Sequence, residues 1–286
     1  MIEREFAERR VGEVLDGRYQ LVRLLGVGMT GAVYEARHEY TKRKVAVKIM
    51  HRQLVTDDTL VARFLREAKS VAKIGHASIV EVYDAGETQD KWPYVALELL
   101  VGRSLGETLR ETGKLLATDV IAIGTELLDG LAAAHDAGIV HRDMKPDNVF
   151  LMDPPVGGRR VKILDFGVAK NLKSTGSSAV LTRPGAAIGT PSYMSPEQAR
   201  GAEVDARTDI WSVGALLFHA VAGRPPFVET NVPSLLLKLV TTRAPRLADI
   251  VPDAPANLAK AIDGALEPDA NQRFPTAKHM ARALTK

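Results

Sequence analysis

The residues best suited to chemistry lie in two short segments of the second half of the chain. Residues 141–148 read His-Arg-Asp-Met-Lys-Pro-Asp-Asn, and Asp-Phe-Gly begins at Asp165. The carboxylate of Asp143 can accept a proton from a hydroxyl group, and the ammonium of Lys145 can offset the charge of a phosphate. Asn148 and Asp165 offer oxygen ligands of the kind that Mg²⁺ prefers. These residue types predict phosphoryl chemistry at a metal site.

The two segments resemble the catalytic loop and the metal-binding loop of the protein kinase family. Either segment alone occurs by chance in many chains, but the two together at this spacing are a specific signal. The resemblance implies that Asp143 is the catalytic base, that Lys145 steadies the transferring phosphoryl group, and that Asn148 and Asp165 hold Mg²⁺ or Mn²⁺. A lysine two residues after the aspartate is typical of serine/threonine kinases. Met144 stands where leucine or valine is commoner, and its similar volume predicts little consequence.

The composition is that of an ordinary globular enzyme. Of 286 residues, 45% are hydrophobic and 26% are charged, so one large domain or two lobes can bury a core. The net charge is only +3 and the basic clusters are short and scattered, which argues against a nucleic-acid partner. The absence of cysteine excludes disulfides and thiolate metal sites.

The sequence contains no evident membrane segment or secretion signal. The N-terminal segment lacks an apolar core, and no window reaches the roughly 18 apolar residues of a membrane span. We therefore expect a soluble, cytoplasmic chain. Many bacterial kinases carry the catalytic domain before a transmembrane helix, and this sequence stops where the last kinase helix should end. It is either a complete protein or the cytosolic domain of a longer receptor.

The resemblance implies an α+β, two-lobed protein-kinase fold, and the hydrophobic patterns agree with it. After an N-terminal extension at 1–18, the N-lobe at 19–99 should hold a five-stranded antiparallel sheet and one regulatory helix. A mainly helical C-lobe should span 100–286. A helix is expected at 60–74, after the capping cluster at 57–59. The predicted strands are 19–25, 32–37, 44–49, 79–85 and 94–99.

In the C-lobe, long apolar periodicity predicts helices and short apolar runs predict small strands around the catalytic segment. The predicted helices are 118–137, 209–222, 234–241, 257–266 and 276–284. Small strands are expected at 139–140, 149–151 and 161–164, with a turn at 154–158.

A glycine-rich segment provides a candidate phosphate cradle. Gly26, Gly28 and Gly31 have the spacing G-x-G-x-x-G, which also occurs in dinucleotide-binding turns. A dinucleotide site requires a helix directly afterwards, whereas residues 33–37 have the pattern of a strand. This context favours a hairpin laid over a triphosphate, in which glycine permits a close backbone approach.

Lys48 lies in the predicted third strand, where the resemblance implies that it contacts the α- and β-phosphates. Its partner would be Glu67, which lies on or beside the apolar face of the predicted helix. In the family this ion pair forms only when the helix is swung inward, so it would serve as both a catalytic part and a switch.

Further nucleotide contacts follow from the resemblance alone. Residues 98–100 would form the hinge whose backbone bonds adenine, and apolar side chains would line the adenine slot. The expected ATP-binding set is Leu25, Gly26, Gly28, Gly31, Val33, Ala46, Lys48, Glu98, Leu100 and Phe150. The apolar members of this set would suit an ordinary core equally well.

Residues 165–197 should form the activation segment. A phosphate in its polar middle would carry roughly −1.5 to −2 charges, with which Arg142 could pair. We expect activation by autophosphorylation, with Thr182 the best candidate and Thr175 another, carried out between copies of the chain in a homodimer. Bacterial relatives often have a second threonine two positions after the first, but here Pro184 makes a doubly phosphorylated pair doubtful. A serine-rich loop without a role is the alternative.

Three residues have structural roles in the resemblance. Glu197 and Arg273 would form a buried ion pair, and Asp209 would begin the core helix that supports the catalytic loop. Ser195 stands where alanine is usual, at the end of the substrate-docking segment.

The sequence is identified as a member of the serine/threonine protein kinases of bacterial receptor type, which transfer the γ-phosphate of ATP to protein hydroxyl groups. The bacterial assignment depends on Ala-Lys-Ser-Val-Ala-Lys-Ile-Gly-His, Val-Tyr-Asp-Ala-Gly-Glu and Tyr-Met-Ser-Pro-Glu-Gln. Two rival classes share part of this pattern. A pseudokinase scaffold typically lacks Lys48, Asp143 or Asp165, and all three are present. A small-molecule phosphotransferase shares the catalytic aspartate but lacks the glycine loop and the docking end at 195–197.

Overall fold

The computed structural model describes residues 2–88, 90–156, 159–166 and 191–286. The chain divides into two compact units. The N-terminal unit comprises Met1–His76 and Val80–Val101, and the C-terminal unit comprises Ala77–Ile79 and Gly102–Lys286.

An antiparallel sheet forms the centre of the N-terminal unit. Its strands are β1 (Val14–Leu15), β2 (Tyr19–Val27), β3 (Gly31–His38), β4 (Lys44–Met50), β5 (Val82–Glu87) and β6 (Pro93–Glu98), in the spatial order β1-β2-β3-β4-β6-β5. The five predicted strands are all present with shifted ends. The sixth strand, β1, was not expected, because two residues are too few to show a period. It pairs Val14 with Gln20 and Leu15 with Tyr19.

Alternation along the strands separates two faces of this sheet. One face belongs to a core whose members are at most 5% exposed, among them Ala32, Tyr34, Ala36, Val45, Val47, Ile49, Tyr94 and Ala96. Val33, Lys48 and Val95 are aligned across β3, β4 and β6, and they alternate with core residues along each strand. Lys48 therefore lies on the face opposite this core.

Within the described residues of the N-terminal unit, three helices accompany the sheet: α1 (Ile2–Arg9), α2 (Arg52–Val55) and α3 (Asp58–Val71). Helix α3 begins where the sequence predicts, because the Asp57 side chain accepts hydrogen bonds from the backbone N–H groups of Thr59 and Leu60. Its buried face packs against β5 and β6. Helix α1 falls within the expected N-terminal extension and packs against β2, with Ala7 in the core of the sheet.

The C-terminal unit is mainly helical. Its helices are α4 (Leu105–Thr112), α5 (Ala117–Asp136), α6 (Pro196–Arg200), α7 (Ala206–Ala222), α8 (Val232–Thr241), α9 (Leu247–Ile250), α10 (Ala256–Ala265) and α11 (Ala277–Thr285). A small sheet of β7 (Gly102–Ser104), β8 (Val149–Val156) and β9 (Arg159–Ile163) accompanies them. Helix α7 is buried almost all round, as its apolar sequence predicts.

Two local predictions for this unit were wrong. Residues 139–140 form no strand, because they belong to the C-terminal cap of α5: Gly138 has φ +75°, and Ile139 N–H donates to the Ala134 carbonyl at 2.9 Å. The expected turn at 154–158 begins too early, because residues 154–156 continue β8 and Val156 pairs with Arg159. The rest of that turn, 157–158, lies outside the described residues. Among the described residues, none of the helices has both the length and the apolar character that a bilayer crossing requires.

Candidate active site

Asp143 lies at the centre of a hydrogen-bonded loop in the C-terminal unit. Lys145 Nζ donates to Asp143 Oδ2 over 2.9 Å, and Asn148 Nδ2 donates to the Asp143 backbone oxygen over 2.7 Å. Asn148 Nδ2 also lies 3.3 Å from Asp143 Oδ2. A short 3₁₀ helix, Pro146–Asn148, turns the chain back and brings the amide to the aspartate. The structure therefore brings together three of the predicted site residues.

His141 connects Asp143 to the segment that precedes Asp165. Its Nδ1 accepts from the Asp143 N–H over 3.2 Å, and its Nε2 donates to the Leu164 carbonyl over 2.8 Å. This pattern assigns the neutral tautomer with hydrogen on Nε2. The side chain is 0% exposed, and burial lowers its pKa below the ordinary value of 6.5. The Phe166 ring packs beside it, with centroids 4.8 Å apart.

Asp209 anchors the backbone of the loop from helix α7. Its carboxylate accepts from the backbone N–H groups of His141 and Arg142 and from Nε2 of His135, each over 2.8 Å. The side chain is fully buried. A buried carboxylate is stable when such donors surround it, so the role predicted for Asp209 has a direct geometric basis.

Two non-glycine residues of this region have left-handed backbone conformations. Arg142 has φ +64° and Asp165 has φ +43°. Such conformations cost about 1–3 kcal/mol each and persist only where neighbouring groups hold them. The hydrogen bond from the Arg142 N–H to Asp209 and the one from His141 to the Leu164 carbonyl supply that support.

The donor set at Asn148 and Asp165 fits a hard divalent cation. Asn148 uses its amide N–H on Asp143, which leaves the amide oxygen as the atom for a ligand. The Leu164 N–H donates to the Asn148 carbonyl over 2.9 Å, so Asp165 follows directly on a segment bonded to Asn148. An amide oxygen and a carboxylate on adjoining segments suit Mg²⁺ or Mn²⁺.

The docking end is tied to the catalytic loop through Gln198 of α6. The Ser195 hydroxyl accepts from the Gln198 N–H over 3.3 Å, and Gln198 Oε1 accepts from the Ser195 N–H over 3.1 Å. This is a capping box, in which the unusual serine is a functional helix cap. Gln198 Nε2 also donates to the Arg142 carbonyl over 2.7 Å. Gln198 therefore links the docking end to a residue whose own backbone is strained.

Glu197 and Arg273 form the predicted ion pair. Two parallel bonds of 2.8 Å join the guanidinium to the carboxylate, and the Thr208 hydroxyl donates to Glu197 Oε1 over 2.7 Å. Arg273 is only 4% exposed. Burial alone would raise the pKa of Glu197, but the bonds from Arg273 and Thr208 outweigh it and lower the pKa from 4.5 to about 2.

The three glycines of the predicted cradle lie in the hairpin between β2 and β3 of the N-terminal unit. The Gly28 N–H donates to the Gly31 carbonyl over 2.9 Å and closes the turn. A Cβ on Gly31 would lie 2.1 Å from the Ile49 carbonyl oxygen, so packing against β4 requires glycine there. At Gly26, by contrast, no atom of the described residues other than its chain neighbours lies within 4 Å of the corresponding position. The requirement for glycine at Gly26 thus does not come from the packing of this hairpin.

Lys48 and Glu67 both lie in the N-terminal unit. Lys48 is 8% exposed on β4, and Glu67 is half-buried on α3. Glu67 follows Phe64 by three positions and precedes Val71 by four, so it lies on the same face as these buried residues. The predicted pairing of Lys48 with Glu67 stays a prediction.

The expected adenine contacts are distributed over both units. Val33 and Ala46 lie on the same face of the sheet as Lys48, as the register shows, and Leu25 is 40% exposed. Glu98 ends β6 and Leu100 follows it. Phe150 lies on β8 of the C-terminal unit. The slot that these residues would form stays a prediction. The predicted phosphorylation sites Thr175 and Thr182 lie outside the described residues.

Sequence reasoning did not assign roles to several residues that shape the site. His141 was part of the motif without a function, and Gln198 and Thr208 were not singled out. Ser195-x-x-Gln198 matches the capping-box pattern and could have been found from sequence. The contacts from Thr208 to Glu197 and from Gln198 to Arg142 depend on tertiary packing and have no local signal.

Comparison with known proteins gives a consistent result. The protein kinase domain family matches residues 19–283. The serine/threonine-protein kinase pkn3 of Myxococcus xanthus is 36% identical over 85% of this chain and 45% of its own length. The serine/threonine-protein kinase PknB of Mycolicibacterium smegmatis is 36% identical over 95% of this chain and 43% of its own length. This chain thus spans less than half the length of these relatives.

Solved structures agree with the sequence relatives. The kinase domain of PknI from Mycobacterium tuberculosis has a TM-score of 0.75 and 28% sequence identity, covering 96% of this chain and 97% of that domain. With the family match at 19–283 and curated bacterial kinases at this level of identity, the chain belongs to the protein kinase family, as a catalytic domain of the serine/threonine class.

Proposed function

We propose that this chain transfers the γ-phosphate of ATP to serine and threonine hydroxyl groups of proteins, through an N-lobe at 19–99 and a C-lobe at 100–286. The observation that supports this most directly is the position of Asp143. Its Oδ2 is 2.9 Å from the Lys145 ammonium and 3.3 Å from the Asn148 amide. A proton acceptor, a cation and a metal ligand therefore lie in one loop.

In the proposed reaction, the acceptor hydroxyl oxygen bonds to the γ-phosphorus, and the bond to the bridging oxygen of the β-phosphate breaks. The products are a phosphoprotein and ADP. Asp143 accepts the hydroxyl proton, and Lys145 stabilises the charge of the transferred group. Because Lys145 is bonded to Asp143, the cation and the base are positioned together.

The remaining site residues have roles in holding the nucleotide. Asn148 and Asp165 would hold Mg²⁺ or Mn²⁺, which when bound supplies charge neutralisation at the phosphates. Lys48 would bind the α- and β-phosphates, with Glu67 orienting it. The hairpin with Gly26 would cover the phosphates, while residues 98–100 and the apolar set around Val33, Ala46 and Phe150 would receive adenine.

Labelled ATP with Mg²⁺ and a generic basic protein tests this proposal. The wild type should label the protein on serine and threonine, and Asp143→Asn should lower the rate by about 10²- to 10⁴-fold. Intact ATP binding without any protein labelling would favour a scaffold. Labelling of small molecules but not of protein would favour a small-molecule phosphotransferase.

The proposal includes control by autophosphorylation at Thr182, with Thr175 as a further site. Arg142 supports it, since this cation directly precedes Asp143 and its backbone is held by Asp209. Phosphopeptide mass spectrometry of the wild type and of Asp143→Asn decides the matter. Identical, unmodified peptides in both samples would overturn autophosphorylation.

Phosphorylation between two copies, in a cytoplasmic homodimer, is the form of this control that we propose. A reaction between copies should phosphorylate an inactive Asp143→Asn chain, tagged so that it can be separated, when it is mixed with the wild type. A tagged Asp143→Asn chain that stays unmodified while the wild type becomes phosphorylated would show phosphorylation within one copy.

A further inference from the structure

His51 connects the N-terminal helix to the glycine hairpin. Its Nε2 lies 2.8 Å from the Gly28 carbonyl oxygen, and its Nδ1 lies 3.1 Å from Oε2 of Glu3 in α1. Its backbone N–H donates to the Thr30 carbonyl over 3.0 Å. The side chain is 8% exposed. One buried residue at the end of β4 thus contacts both the tip of the hairpin and the first turn of the helix.

The chemistry of these contacts sets their direction. A carbonyl and a carboxylate both accept hydrogen bonds, so the imidazole of His51 completes both contacts when each ring nitrogen carries a hydrogen. The bond to Glu3 is then charge-assisted, which makes it stronger than a bond between neutral groups.

Helix α1 holds Glu3 at a fixed position. Ala7 is 3% exposed within the core of the sheet, and its carbonyl accepts from the Tyr34 hydroxyl over 2.9 Å. The ring of Phe6 stacks on Trp92 with centroids 5.5 Å apart. These contacts attach the helix to the sheet, so Glu3 can act as an anchor for His51.

The tip of the hairpin is more exposed to solvent than Ala7, which anchors helix α1. Met29 is 58% exposed, and the turn is closed by the backbone bond from Gly28 to Gly31. His51 holds this tip twice, by its backbone N–H at the Thr30 carbonyl and by its side chain at the Gly28 carbonyl, and only the second bond can be removed by a side-chain substitution.

We infer that Glu3 and His51 form a positioning pair that sets the glycine hairpin for nucleotide binding. Glu3 lies outside residues 19–283, which match the kinase family, so this contact comes from the chain's own N-terminal segment. The inference rests on the proposed function, since the hairpin is taken to cover ATP. Neither residue touches the nucleotide. Each acts through Gly28.

The test uses Glu3→Ala, Glu3→Gln and His51→Phe in the whole chain, with steady-state kinetics in both ATP and peptide. Glu3→Ala and His51→Phe should each raise the KM for ATP by about fivefold, the value of one hydrogen bond of ordinary net strength. The KM for peptide and the melting temperature of Glu3→Ala should stay unchanged. Glu3→Gln keeps an accepting oxygen and should fall between Glu3→Ala and the wild type.

Two controls separate positioning from general destabilisation. Glu5→Ala removes an equal charge from an exposed position of the same helix and should leave the KM for ATP unchanged. The double variant Glu3→Ala/His51→Phe should be no worse than either single variant, because both remove the same link. Because His51 is buried, His51→Phe also tests the fold itself, whereas Glu3 is only partly buried and its substitution tests the link independently.

An unchanged KM for ATP in Glu3→Ala, an equal effect of Glu5→Ala, or additive effects in the double variant would overturn the pair. Failure of the proposed function looks different, since the wild type would then label no protein. In that case calorimetric dissociation constants of ATP for the same variants give the same comparison.

Discussion

The catalytic loop and the glycine hairpin hold their functional groups in different ways. In the catalytic loop, the fully buried Asp209 and His141 accept hydrogen bonds from the backbone N–H groups of residues 141–143 and so fix the chain that leads into Asp143. In the hairpin, a backbone bond closes the turn and His51 contacts the tip, while Met29 is exposed. Groups that meet developing charge gain from preorganisation, whereas a cover must admit its ligand.

This difference predicts where substitutions act. Changes under the catalytic loop should lower the stability of the fold and the turnover number together. Changes in the hairpin should alter the affinity for ATP and leave stability largely unaffected, except at Gly31, where packing against β4 requires glycine.

Asp209→Ala should have the largest effect on stability. Two backbone N–H groups and a histidine would lose their acceptor inside the protein, which costs about 3–5 kcal/mol of the free energy of unfolding. Urea unfolding measures it. The matched control is Asp205→Ala, which removes the exposed cap of the same helix and should cost about 1 kcal/mol. If Asp209→Ala and Asp205→Ala lose the same free energy of unfolding, Asp209 contributes no more than an exposed helix cap.

The Glu197–Arg273 pair should make stability depend on acid pH. The pKa of Glu197 is about 2 in the folded chain and 4.5 as its ordinary value, so the unfolded chain takes up the proton first as the pH falls. Stability from this pair is complete above pH 4.5 and is lost towards pH 2, by about 3 kcal/mol in all. Urea unfolding at pH 6 and pH 3 should show about 2 kcal/mol more loss in the wild type than in Glu197→Gln. If the free energies of unfolding of the wild type and of Glu197→Gln fall in parallel with pH, the prediction is contradicted.

Gly31→Ala and Gly26→Ala compare two ends of the hairpin. The new Cβ at Gly31 would collide with the backbone of β4 and should cost about 1–3 kcal/mol of unfolding free energy. At Gly26 the part of the chain that the structure describes leaves room for the new atom, so stability should hold while the KM for ATP rises. Thermal melts and ATP titration of both variants check this. If Gly26→Ala is destabilised and binds ATP with unchanged affinity, Gly26 is required for packing and not for ATP binding.

Gln198→Ala should have the smallest effect. It removes the 2.7 Å bond to the Arg142 carbonyl and should lower kcat by about fivefold, with unchanged KM for ATP. Gln198→Glu retains a capping side chain but loses the donor, so it separates the cap from the link. If Gln198→Glu behaves as the wild type in peptide phosphorylation, the link to Arg142 has no catalytic role.

Much of this architecture could be predicted from local patterns. The strands of the sheet, the start of α3 at the Asp57 cap and the buried helix α7 follow from period and capping, which are local properties. The residues around Asp143 were recognised from a contiguous motif, so their proximity needed little tertiary information.

Other features depend on contacts that local patterns do not report. The apolar pair at 139–140 resembles a strand, yet the cap of α5 takes its backbone donor. The contact between Glu3 and His51 joins segments far apart in sequence, and only the docking of α1 on the sheet brings them together.

The orientation of His141 also sets an acid limit for the site. Nδ1 accepts the hydrogen bond from the Asp143 N–H only while it carries no proton. Once protonated, Nδ1 is itself a donor, and two donors cannot bond to each other. Because burial lowers the pKa of this imidazole, the arrangement survives at pH values where an exposed histidine would already be charged. In more acidic solution, the carboxylate proposed as the base would lose its placement through a residue to which no contact with the substrate is assigned.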